Sequence, residues 1–179
     1  MIQTLFHHLR EGGKLLTRTG VALLLVLTLI VAACTPKQLS QAAEAAKDIG
    51  GGTRDVVKAV REAYEAKLIS IEQKDRLAEL LKQIARGGQK GVDAIDFLQK
   101  HGVTQPTPEQ SRNLSRIFDD EVVAPFLNLL TELGKLSDES SVAIRTALAS
   151  VRTAIVVFSA KIGRMDVIRA IEAREVWNV

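Results

Sequence analysis

The groups through which this 179-residue chain could do chemistry are few: one thiol, Cys34, three histidines and scattered carboxylates. A lone cysteine cannot form an intrachain disulfide, and it cannot build a Cys-ligated zinc site. His101 is the single histidine outside the pair His7-His8. It precedes a glycine at what reads as a helix C-terminus, where a cation suits the helix dipole. A ligand or catalytic role would need partners, and no second histidine lies within the same stretch. Asp93 and Asp96 fall one turn apart without calcium-loop spacing, so a solvated helix face is the plainer reading. Asp119-Asp120-Glu121 holds three consecutive carboxylates. General acid–base work needs two carboxyl groups facing each other across a cleft, and consecutive helical positions diverge, so a solvated turn is expected.

No nucleophile elbow, phosphate loop or helical metalloprotease motif occurs. Gly50-Gly51-Gly52 lacks the Lys-Ser/Thr that would complete a phosphate cradle. No enzyme activity, metal or cofactor is expected. Aromatic residues make up 4% of the chain, too few for a stacking platform that binds single strands or sugars.

The positive charge is unevenly placed. The formal net charge is +3, of which residues 1–33 carry +2 through Arg10, Lys14, Arg18 and Glu11. The remainder is near neutral, which gives no case for nucleic acid as a partner. Within it, Arg145 and Arg152 recur seven residues apart, with Lys161, Arg164 and Arg169 beyond. This is the most basic stretch, a candidate contact for a partner or for lipid headgroups against the commoner reading of a solvated face.

The N-terminal segment explains the thiol. Val21–Ala33 is an uncharged apolar run, shorter than the roughly 20 residues of a membrane span and within the range of a signal-peptide core. Basic residues precede it and two small residues follow, then Cys34. This resembles a bacterial lipoprotein signal peptide with Val31-Ala32-Ala33-Cys34 as its lipobox. The resemblance implies cleavage before Cys34, a diacylglycerol thioether on its sulfur and a further acyl chain on its freed amine. Two or more chains give stable anchoring where one gives only marginal binding. The resemblance covers residues 1–34 and says nothing of the fold beyond. Val31 stands where that family most often has Leu. Thr35 carries no inner-membrane retention signal, which favours the outer membrane in a cell with two. The other readings of the segment are a non-lipidated peptide cleaved after Ala33, an uncleaved anchor, and a core helix with an inert thiol.

The elements that position these residues all read as helix. Good helix formers dominate and alternating β-branched runs are absent. Three capping boxes mark helix starts: Thr35–Gln38, Ser70–Gln73 and Thr107–Gln110, the first and third with Pro at the first helical position. Thr53 and Ser137 are plain N-cap candidates. The spacing predicts helices over about 36–48, 54–67, from 71 to about 100, 108–135, 138–162 and 164–175. Gly50-Gly51-Gly52 reads as a hinge between the first two. Gly87-Gly88 leaves open whether the third breaks or only kinks. Pro125 should kink or restart the fourth. Ile144, Leu148, Val151, Ile155, Phe158 and Ile162 form a heptad seam, with Arg145 and Arg152 arguing against a second membrane span. Trp177 reads as docked on the bundle.

The expected architecture is all-α. A signal peptide occupies 1–33, a lipid-anchored helix with a glycine hinge 34–52, and a helical bundle of four to five main helices 53–179. The expected function is that of a non-enzymatic, membrane-anchored envelope lipoprotein acting through an envelope protein partner. The alternatives are a carrier of small apolar ligands or an enzyme with a pocket between helices, and an uncleaved anchored protein. A closed apolar cavity would favour the carrier, and a polar cleft with converging carboxylates the enzyme.

Overall fold

Short-range chemistry decides where the helices begin. In the computed structural model, which describes residues 36–103 and 106–176, they are α1 (Pro36–Glu65), α2 (Ile71–Lys100), α3 (Pro108–Phe118), a π-turn (Asp119–Val123), α4 (Ala124–Leu133), α5 (Asp138–Lys161) and α6 (Met165–Val176). Because α3, the π-turn and α4 continue into one another, the chain makes five rods, an all-α bundle without strands among the described residues.

Two capping boxes form as the sequence predicts. The Ser70 hydroxyl accepts from the Gln73 amide at 3.2 Å, and the Gln73 side chain accepts from the Ser70 amide at 2.7 Å. Thr107 and Gln110 repeat the arrangement at 3.2 and 2.8 Å. Ser137 accepts from the Ser140 amide at 3.3 Å. Each such cap contributes about 1 kcal/mol. The Ser70 hydroxyl also donates to Glu72, which holds that carboxyl below its usual range. The Thr35 box lies outside the described residues.

Helix ends are equally local. At the end of α2, Gly102 (φ +68°) lets the Val103 amide reach the Leu98 carbonyl and its own amide reach Gln99, each at 3.0 Å. The end of α1 is built the same way around Lys67 (φ 62°), with Leu68 bonded to Ala63 and Lys67 to Tyr64 at 2.9 Å. A lysine in this left-handed conformation costs about 1 kcal/mol relative to glycine.

The glycine triplet is not a hinge. Helix α1 runs through Gly50-Gly51-Gly52 unbroken, and Thr53 is an interior residue, 3% exposed, whose hydroxyl donates to the Gly50 carbonyl at 2.8 Å. The division into 34–52 and 53–179 therefore gives way: Leu39, Ala42, Ala46 and Ile49 belong to the same core as Val56 and Val60. Three interior glycines cost roughly 3 kcal/mol in propensity. Burial of Leu39, Ile49, Val56 and Val60, at about 1.5–3 kcal/mol each, outweighs it.

Helix α2 likewise passes through Gly87-Gly88 as one helix. A Cβ at Gly87 would stand 2.5 Å from the Glu121 carbonyl oxygen, and one at Gly88 3.0 Å from that of Ala46. Pro125 is the other half of this contact. A proline has no N–H and collides with the carbonyl four residues before it, here Glu121. The π-turn resolves the conflict: the Ala124 amide reaches back five residues to Asp119, and the Glu121 carbonyl turns toward Gly87 of α2. The expected kink or restart thus takes the form of a register shift, with the helix resuming at Ala124.

Helix α1 lies between α5 and α2, its two most extensive neighbours. The seam of α5 is buried from Ile144 to Phe158, with Ile162 partly buried at its end. Phe158 stacks on Phe118 at 4.2 Å between ring centres. Phe126, Leu129 and Leu133 of α4 and Val167 and Ile171 of α6 complete the core. By length and composition α5 could cross a membrane (mean hydropathy 1.5), yet it carries Arg145 and Arg152 and lays its seam along the other helices. Ser140 at its start is buried and donates to the Leu68 carbonyl at 2.8 Å, fastening α5 to the α1–α2 turn.

Candidate functional site

Cys34 and the cleavage motif Val31, Ala32 and Ala33 lie outside the described residues, as does Trp177. The remaining candidates are dispersed. His101 is exposed and caps α2, its Nδ1 2.8 Å from the Phe97 carbonyl and its ring 4.1 Å from that of Phe97. Asp93 is exposed and accepts from the Gln89 side chain at 2.8 Å, an ordinary i,i+4 contact. No group of three potential metal ligands occurs among the described residues.

The acidic triplet is not a solvated turn. It opens the π-turn, and its side chains part company. Asp119 accepts from Arg164 at 2.5 Å, Glu121 is paired with Lys90 of α2, and Asp120 is exposed. Arg164 also holds Asp166 through two bonds, at 2.8 and 2.6 Å. This pushes the guanidinium pKa further up, and the Arg164 contact lowers Asp166 to about 2. The second oxygen of Asp119, Oδ1, is buried with no partner. Arg164 thereby clasps the π-turn to the start of α6. Arg174 does the same farther along, donating to the Leu127 carbonyl at 2.9 Å and the Thr131 hydroxyl at 2.6 Å. The basic stretch read from the sequence is thus partly consumed in holding α6. Arg145 and Arg152 are half-buried along α5, about 10 Å apart by the helix rise.

Two open grooves flank α1. One, of about 910 Å³, runs between α1 and α5 over a floor of small residues that includes Ala45, Gly52 and Ala149. Glu44, Asp48 and Asp55 line it, against Lys161 at the far end. The other, of about 690 Å³, runs between α1 and α2. Its charged lining is Lys47, Arg54 and Lys82, with no acid. Neither groove is a closed apolar cavity, and neither brings carboxylates together across a cleft.

No family model, curated protein or solved structure matches the chain.

The grooves were missed at the sequence level, although their signal was present. At 100° per residue, Glu44, Gly51 and Lys58 fall on one line, Asp48 and Asp55 to one side of it, Lys47 and Arg54 to the other. The glycine triplet drew the reading toward a hinge and cut this pattern in two.

Proposed function

We propose that the chain is a lipid-anchored, non-enzymatic protein of the bacterial cell envelope whose helical bundle works by binding protein. The observation that carries this is the position of Cys34, the chain's one cysteine, at the end of the uncharged run Val21–Ala33 and two residues before α1. Lipidation there attaches the acyl chains close to a packed helix, since α1 has Leu39 and Ala42 in the core within its first two turns. With only Thr35 between Cys34 and Pro36, the connection spans at most about 7 Å, so the bundle stands at the membrane surface without a long tether. Such a placement suits a protein that presents a surface to neighbours in the same membrane. Thr35 carries no inner-membrane retention signal, which favours the outer membrane where there is one. The open, charge-lined grooves beside α1 suit a protein partner better than a small apolar ligand.

Metabolic labelling with radioactive palmitate tests the anchor. The wild-type chain should take up label and fractionate with membranes. Cys34→Ala should lose the label. Undiminished incorporation into Cys34→Ala would overturn the lipid reading.

A further inference from the structure

Gly50 and Gly51 have no structural reason to be glycine within one copy of the chain. Glycine in a helix interior is costly, and Gly52, Gly87 and Gly88 justify the cost by meeting a neighbour where a Cβ would stand. At Gly50 and Gly51 a Cβ would meet nothing within 4 Å. Gly51 is exposed on the crest of α1 and borders both grooves. The charges about it are sorted by side. The α5 side carries Asp48 and Asp55, the α2 side Lys47 and Arg54, all exposed. Among the described residues these four have no ion-pair partner, in a chain whose other charges are often paired.

We propose that this face of α1 is a dimer interface for a second copy of the same chain, with the two α1 helices crossing parallel at Gly51 and the basic flank of each copy set against the acidic flank of the other. The flank charges nearest the crossing select the direction, since Glu44 and Lys58, two turns from Gly51 on the same line, are carried apart from their own equivalents by the crossing angle. When two copies of a helix pack antiparallel, the dyad places like flank against like flank, here acid on acid and base on base. When they pack parallel, the dyad follows the helices and sets each flank against the opposite one. Asp48 then faces Lys47 of the second copy and Asp55 faces Arg54, in register, with both exchanged twice. The absent side chain at Gly51 permits the close crossing that such pairs require, as small residues do where helices approach backbone to backbone. Opposite potentials at the two grooves steer the approach and penalise the wrong register.

The parallel sense also brings both copies of Pro36 to the same end. Two lipid anchors would therefore enter one membrane side by side. The inference deepens the protein-binding part of the proposed function by naming its partner, but does not depend on the lipid: it concerns residues 44–58 and holds equally for an unacylated chain.

Sedimentation equilibrium of the full chain in density-matched detergent micelles, with and without Cys34→Ala, tests it. Both should dimerise alike, so a failed palmitate experiment and a failed dimer are separate results. Lys47→Glu with Arg54→Glu makes both flanks acidic; Asp48→Lys with Asp55→Lys makes both basic. Each variant alone should weaken dimerisation at least about tenfold, and a one-to-one mixture should restore it. Gly51→Leu should weaken dimerisation similarly while raising the thermal midpoint of the fold, because its side chain meets open space in one copy and the second copy in the dimer. A wild-type chain that stays monomeric to about 100 µM overturns the proposal. So does a dimer that Gly51→Leu leaves intact, that either charge variant alone leaves intact, or that the mixture of charge variants fails to restore.

Discussion

Helices α1 and α2 are each 30 residues long, and each carries glycines near its middle. Read locally, the first is expected to break there and the second either to break or to kink. Neither does, and the two stay whole under different surroundings. In α2 the glycines are filled from outside: the Glu121 carbonyl occupies the place of a Gly87 side chain, and Ala46 of α1 crowds Gly88. In α1 that holds for Gly52 alone, while Gly50 and Gly51 look onto open space. The same residue type is a packing requirement in one helix and, within a single copy, an unrecovered loss in the other. A helix interior glycine therefore marks an approach of backbone to something, and where the folded chain supplies nothing, the missing partner is the point of interest.

The sharpest way to break this contrast is to add one methyl group on each side of it. Gly87→Ala should destabilise the fold by about 3 kcal/mol, since the obstacle is a backbone carbonyl held by the π-turn rather than a side chain that can swing away. Urea unfolding followed by circular dichroism measures this, and a variant as stable as the wild type would refute the packing account of α2. Gly50→Ala should have the opposite sign and a smaller size, a gain of about 1 kcal/mol from helix propensity. A loss there would mean that Gly50 already packs against something within one copy. The smallest effect concerns the clasp that holds the π-turn in place. Asp166 has its pKa lowered to about 2 by Arg164. A carboxyl with a depressed folded-state pKa adds stability above its ordinary value near 4, and that contribution fades as pH falls toward 2. Asp166→Asn should therefore show less acid sensitivity between pH 4 and pH 2 than the wild type. The difference should stay under about 1 kcal/mol, because the carboxylate is largely exposed and screened. Identical acid profiles would remove Asp166 from the clasp.

What was legible in the sequence was whatever is settled within a few residues or by a simple period. The caps at Ser70, Thr107 and Ser137 are contacts three residues long, and all three form. The α5 seam is a repeat, and its members from Ile144 to Phe158 are buried. The Gly50–Gly52 hinge was misread, Gly87-Gly88 was left open, and the form of the change at Pro125 was unspecified, because each depends on distant chain. Glu121 meets Gly87, and Ser150 and Val151 meet Gly52, from other helices. Propensity cannot see a carbonyl arriving from across the bundle. Arg164 was counted with a basic surface for the same reason: its partner Asp119 is 45 residues away. Lys67 gave no warning either, since nothing in its own chemistry announces a left-handed turn.

The placement of α1 has a consequence for how the chain reaches this state. Its most extensive pairing is with α5, and the α1–α5 groove brings Gln41 near Lys161, almost the whole length of the described chain apart. Of the described helices α1 is the earliest, and the part of its apolar face that packs on α5 stays uncovered until that later helix has followed. The α1–α5 pairing is thereby a late, non-local contact, and contacts of that kind slow folding. Under the proposed lipid-anchored reading, that delay keeps the polypeptide threadable until α5 has crossed the membrane.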